Sequence, residues 1–292
     1  MSQILAVGIA TLDVINIVDE YPKEDTEMRV AGQRICRGGN ATNTLVVLSQ
    51  LQHQCSWAGV WVDEPDGRTI LADLQRHQIN TDYCQVEKQG KVPTSYILLS
   101  QQTGSRTIVH HRNIPELSFQ QFQKVDLSRF DWVHFEGRNV IETYHMLQWV
   151  KQQQPDLPIS LEIEKPRLGI ERLFQYADLL LCSQSFAHHH AYYNAADFLR
   201  DLRQQVTDTE LVCAWGHLGA YAMDMKGQIL HSPAYPPPQV VDTLGAGDTF
   251  NASLIDSFCR QQDLSMALHE ACWLAGKKCG QVGLEPLSRA KP

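Results

Sequence analysis

The sequence has no CxxC spacing among its eight cysteines, no GxGxxG, no repeat, no low-complexity tract and no apolar run long enough to cross a bilayer. Each absence excludes something. The cysteines lie among apolar neighbours, as in Leu181-Cys182 and Val212-Cys213-Ala214. They read as buried free thiols, which argues against a disulfide framework or a zinc site and implies a reducing cytoplasm. Positive charge is scarce: Lys and Arg number 25 against 33 Asp and Glu, a net charge of -8. That argues against nucleic acid or an anionic membrane as the main partner. The apolar start over 4–18 lacks a basic flank and is interrupted by Asp13 and Asn16. It reads as a first buried strand rather than a signal peptide. Ile4-Leu5-Ala6-Val7-Gly8-Ile9-Ala10 opens like a dinucleotide strand, but without GxGxxG a dehydrogenase is disfavoured. With no linker visible, residues 1–292 read as one domain.

What is present is an alternation of apolar strand-like runs and helical patterns. Strands are expected near 4–9, 132–136, 159–164, 179–182 and 211–215, and helices near 41–51, 68–77, 141–153, 187–205, 249–260 and 264–276. This is an α/β rhythm: a doubly wound, mostly parallel sheet with helices on both faces and a ligand at the C-terminal strand ends. Two segments, 13–36 and 94–111, break it with β-forming residues in polar alternation, and Gly104 marks a turn in the second. They pair as a small sheet outside the main layer, or stand as two ordinary surface hairpins.

The densest motif is Val240-Val241-Asp242-Thr243-Leu244-Gly245-Ala246-Gly247-Asp248-Thr249-Phe250. Gly245, Ala246 and Gly247 leave the backbone bare, and Phe250, Leu254 and Phe258 follow at helical spacing. A bare loop opening a helix is an anion site, because free N–H groups and the positive dipole end point outward together. A carboxylate beside a bound phosphate is repelled unless it has a task, and the task for Asp248 is to take a proton from an attacking hydroxyl. Two turn glycines and a capping Asp would also write this pattern.

The second motif is Arg37-Gly38-Gly39-Asn40-Ala41-Thr42-Asn43. Asn40 and Asn43 lie one helical turn apart, and amides both donate and accept, which suits sugar hydroxyls. A Gly-Gly turn with an Asn cap reads the same way, and Asp13 alone reads as a strand-end turn residue.

Taken together, these strings resemble the PfkB (ribokinase-like) carbohydrate kinases. So do Tyr21-Pro22-Lys23-Glu24-Asp25, Phe135-Glu136-Gly137-Arg138-Asn139, Glu164-Lys165-Pro166-Arg167 and Ala275-Gly276-Lys277-Lys278-Cys279-Gly280. The likeness spans nearly the whole chain and is strongest to the branch that phosphorylates ketohexoses. It implies a ribokinase-like fold whose two odd segments form a β lid over the sugar site, and a homodimer joined through those lids. The implied reaction is ATP-dependent phosphorylation of fructose at its 1-hydroxyl. Asp248 would be the base, and Gly245, Ala246 and Gly247 the anion hole. Asp13, Gly39, Asn40 and Asn43 would hold the sugar. Arg106, Gly219 and Cys279 would lie at the nucleotide. Magnesium is implied with ATP, and potassium on carbonyls around Asp242 and after Gly280.

Some residues depart from the family pattern. The loop Gly216-His217-Leu218-Gly219 lacks the acidic character of its counterparts. No Asn-x-x-Glu occurs near Ser183-Gln184-Ser185-Phe186, leaving Glu162 and Glu164 as substitutes toward magnesium-bound water. His188-His189-His190 diverge around a helix and make a poor metal tripod. Other acceptors, such as ribose or a nucleoside, fit the same amides. A silent sugar- or nucleotide-binding regulator would have no need of Asp248.

Overall fold

The computed structural model describes residues 1–284 and 286–289. The chain begins β1 (Gln3–Val7), β2 (Thr11–Val18), β3 (Gly32–Gly38), α1 (Asn40–Gln50), β4 (Gln54–Ala58), β5 (Val60–Val62), α2 (Pro65–Arg76), β6 (Gln85–Glu87), β7 (Thr94–Ser100) and β8 (Arg106–His111). It continues α3 (Phe119–Phe122), β9 (Trp132–Glu136), α4 (Val140–Gln153), β10 (Ile159–Ile163), β11 (Leu179–Ser183), α5 (Gln184–His189), α6 (Ala195–Arg203), β12 (Glu210–Ala214), β13 (Ala220–Met223), β14 (Ile229–Ser232), α7 (Ala246–Cys259) and α8 (Leu264–Cys279).

Eight strands make the main sheet in the order β14-β13-β12-β11-β10-β9-β1-β4. The pairings from β4 to β12 are parallel, and β13 alone runs opposite to the rest, pairing antiparallel with both β12 and β14. Every residue of β9 and β10 is buried, as parallel strands covered on both faces must be. From β1 the chain first reaches β4 on one side, and later β9 on the other. The strand order therefore reverses beside β1, where open α/β sheets form their ligand crevice at the C-terminal strand ends.

The segments that broke the rhythm pair with each other as a separate four-stranded sheet, β3-β2-β7-β8. Period-2 alternation gives it two faces. Register puts Arg34, Ile15, Ile97 and Ile108 in one row, with Cys36, Asp13, Ser95 and His110 in another row of that same face. Ile15 and Ile97 are buried. Ile35, Val14, Tyr96 and Val109 line the opposite face, and Ile35, Tyr96 and Val109 are exposed.

The helix expected over 187–205 is two helices. Ala191 takes φ 62°, and the Asn194 side chain caps α6 by accepting from the Ala196 and Asp197 N–H groups. At the other end of the fold, α7 is buried from Asp248 to Ser257 because it lies between α1 and α8.

Candidate active site

The C-terminal ends of β1, β9 and β10 converge with the N-termini of α1 and α7, and they bring four carboxylates together. Gly39 ends the connection from β3 with φ 102°, a conformation open to glycine, and a Cβ there would lie 2.3 Å from the Ile9 carbonyl oxygen. No side chain of its own caps α1. The cap comes from β9: Glu136 Oε1 accepts from the Ala41 N–H at 2.6 Å and the Ile9 N–H at 3.1 Å. Burial pushes the Glu136 carboxyl up to about 7 against the pull of Arg138.

Asn40 and Asn43 both project into this crevice from the first turn of α1. Asn40 Nδ2 donates to Glu162 Oε1 at 3.2 Å and to Glu164 Oε2 at 3.3 Å. Asn251 of α7 also donates to Glu162 Oε1, at 3.1 Å, while Glu162 Oε2 is buried with no protein partner. Burial, then the neighbouring charge of Asp248, holds Glu162 well above the usual carboxylate range. Asn43 Nδ2 donates to Asp248 Oδ2 at 2.6 Å. Its own Oδ1 accepts from Arg37 Nη1 at 2.7 Å, and Arg37 is fixed by an ion pair to Asp73 at 2.7 Å. A chain of contacts thus runs from α2 through the separate sheet to Asp248.

Asp248 sits in the first turn of α7. It is 8% exposed, and burial pushes its carboxyl up to about 7 even though the Asn43 hydrogen bond favours the charged form. Before it, Gly245 takes φ 80°. A Cβ on Gly247 would meet nothing within 4 Å, so open space faces that residue. The first-turn N–H groups of a helix lack intrahelical acceptors, and they flank this space.

The remaining expected residues lie on other elements, and among the described residues no contact joins Gly219 to this centre. Asp13 lies on β2, accepts from Thr11 Oγ1 at 2.7 Å, and is raised by burial. Arg106, at the start of β8, reaches Thr243 Oγ1 at 3.4 Å. Cys279 ends α8, and its carbonyl accepts from the Val241 and Asp242 N–H groups. Gly219 links β12 to β13 with φ 92°, where a Cβ would lie 2.1 Å from the Ser232 carbonyl oxygen, so the hairpin itself requires glycine.

Asp242 bears on the potassium expectation. Its carbonyl accepts from Lys278 Nζ at 2.6 Å, and its carboxylate meets Arg34 at 2.5 Å. Two fixed cations thus sit on Asp242 itself, which leaves the carbonyls of its neighbours and the loop after Gly280 as the donors for such an ion. Among the described residues no group of three or more His, Cys, Asp or Glu forms a metal cluster. His188 packs edge-on against Trp215 instead of facing its two neighbours.

Sequence reading missed Glu136, Asn251, Asp73 and the positioning contact of Arg37. Glu136 carried the one usable signal, an acid ending a buried strand.

Comparison with known proteins gives the following. The model of the pfkB family carbohydrate kinases matches residues 1–290. The chain is 43% identical to ketohexokinase of Mus musculus over 97% of this chain and 98% of that protein. It is 24% identical to ribokinase of Bacillus subtilis, covering 93% and 90% of the two. Among solved structures, ribokinase of Cryptococcus neoformans in complex with ADP superposes with a TM-score of 0.82 at 17% identity, covering 97% of this chain and 95% of that one. Ribokinase of Arabidopsis thaliana complexed with ribose and ATP gives 0.80, also at 17%, covering 97% and 94%.

Proposed function

The chain belongs to the pfkB family of carbohydrate kinases, and from that premise we propose that it transfers the γ-phosphoryl group of ATP to the 1-hydroxyl of fructose. The 43% identity to a ketohexokinase over nearly the whole chain supports the choice of acceptor. The observation that carries the reading is Asp248, buried, held by Asn43, and placed one residue after the open Gly247.

In this reading Asp13, Gly39, Asn40 and Asn43 hold the sugar hydroxyls. Asp248 accepts the proton of the attacking hydroxyl, and the N–H groups of 245–247 stabilise charge on the transferring phosphoryl group. Arg106 comes from the separate sheet, which acts as a lid excluding water as a competing acceptor. Gly219 and Cys279 border the nucleotide. Magnesium bound with ATP would neutralise phosphate charge. The buried, unpartnered Glu162 Oε2, together with Glu164, fits the waters of that ion. No step passes through potassium.

The carboxylate requirement fixes the sign of the pH dependence. Asp248 must be ionised to accept a proton, and its carboxyl lies near 7. We expect kcat/KM to fall about tenfold per pH unit below that value and to level off above it. A flat profile from pH 5.5 to 8 would remove Asp248 as the base.

The outward row Ile35, Val14, Tyr96 and Val109 crosses all four lid strands, and exposed apolar rows of this kind mark interaction surfaces. We assign it to a second copy, joined lid to lid in the cytoplasm. Light scattering at micromolar concentration is expected to show a dimer that Tyr96→Glu converts to monomer. A monomer before substitution, or a dimer untouched by it, overturns the assignment.

Acceptor choice is tested by coupled ADP release on fructose, tagatose, ribose, fructose 6-phosphate and adenosine. The highest kcat/KM is expected for fructose. Preference for ribose or adenosine would keep the family and Asp248 and discard the ketohexose.

A further inference from the structure

Asp242 joins four separate parts of the chain, none of which the reaction above requires it to touch. Its Oδ1 accepts from the Leu244 N–H at 2.9 Å, inside the loop that becomes the anion hole. Its Oδ2 accepts from the Gly283 N–H at 3.0 Å and from Arg34 Nη2 at 2.5 Å. Its carbonyl is held by Lys278 of α8. Asp242 is buried, and these donors hold its carboxyl below the usual range despite the cost of desolvation.

Arg34 is the outlier among these partners. It lies on β3, in the separate sheet, 208 residues from Asp242 along the chain. Among the described residues this is the one ion pair between that sheet and the 239–245 loop. Strand alternation puts Arg34 on the same face as Asp13, so one face of one sheet carries both a candidate sugar contact and the grip on the phosphate loop. Arg106 reaches the neighbouring Thr243 from the far edge of that sheet. The two halves of the site therefore share a mechanical connection.

We propose that Arg34 is a positioning residue. Held by the sheet that contacts the sugar, it sets Asp242 and thereby the N–H groups of the 244–247 turn, so that occupancy of the sugar half improves the nucleotide half. The proposal rests on the kinase reading, and Arg34 itself touches no reacting atom.

Titration calorimetry with ADP, with and without fructose, tests the coupling directly and needs no turnover. In the unaltered chain fructose is expected to tighten ADP binding. In Arg34→Gln that gain is lost and kcat/KM for ATP drops about ten- to a hundredfold, the range of one charge-assisted contact. Arg34→Lys, which keeps the charge but offers a single ammonium, restores part of both. The thermal midpoint of Arg34→Gln stays close to that of the unaltered chain, because Lys278 and Gly283 still partner Asp242. A purely structural role would lower the midpoint and leave the fructose effect in whatever protein remains folded. The proposal is overturned if Arg34→Gln shows an unaltered fructose effect on ADP. It is also overturned if the unaltered chain binds both ligands without mutual effect. If fructose alone fails to bind while ribose or adenosine does, the acceptor reading fails instead, and the same titration with that acceptor decides the role of Arg34.

Discussion

Asp248→Asn is expected to bind sugar and ATP as the unaltered chain does and to lose on the order of 10²- to 10⁴-fold in kcat, the range for removal of a general base. Binding survives because the amide oxygen can still accept from Asn43 Nδ2 at the same place. The proton acceptor does not survive. The same substitution is expected to stabilise the fold at pH 8. The folded-state pKa of Asp248 is raised from 3.8 to about 7. A carboxyl raised in this way favours the folded state in acid, and that advantage is lost as pH rises from 3.8 through 7. Above 7 the native chain bears a buried charge that Asn lacks, worth roughly 1–4 kcal/mol, or several degrees in Tm. Kinetics and melting at pH 8 check both halves. Near-normal kcat would remove Asp248 from the chemistry. An unchanged Tm alone would show that the carboxylate is better solvated than its burial implies.

Gly247→Ala separates fold from function in the anion loop. A Cβ at 247 meets no protein atom within 4 Å, and the residue lies in α7 with an ordinary backbone. Alanine is a better helix former than glycine by about 1 kcal/mol, so the variant should melt no lower than the unaltered chain. The new methyl occupies the space in which the phosphoryl oxygens approach the N–H groups. Loss of one such donor costs about 10²- to 10³-fold elsewhere, and displacing the anion is expected to cost about 10- to 100-fold in kcat/KM for ATP. Gly245 cannot serve this purpose: its φ of 80° and Leu284 at 3.2 Å would strain any side chain. If Gly247→Ala keeps full activity, the phosphoryl group does not pass over this turn.

The parts of this site that were legible in the sequence are those written locally. Gly245 to Asp248 and the helix they open occupy fifteen consecutive positions, and Asn40 and Asn43 lie one turn apart, so periodicity and turn chemistry suffice to read them. Contacts formed across the fold were not legible. Glu136 caps α1 from 95 residues away, Asn251 shares Glu162 with Asn40, and Arg34 meets Asp242 across 208 residues. Nothing near Glu136 in sequence shows that α1 lacks a cap of its own. The parallel pairing of β2 with β7 is similarly remote, which is why two hairpins and one small sheet were equally good readings. The break at Ala191 was a local signal that the amphipathic run around it concealed: Asn194 before Ala195-Ala196-Asp197 is a helix start. The potassium expectation came from resemblance alone; of the carbonyls it invokes, that of Asp242 already accepts from the Lys278 ammonium.

The most direct test of the account is a single incubation with magnesium, ATP and fructose, followed by coupled ADP release and by NMR of the product. The account predicts stoichiometric ADP and fructose 1-phosphate, with both formed at least about a hundredfold more slowly by Asp248→Asn. Phosphate on another hydroxyl, or equal turnover by Asp248→Asn, would contradict it.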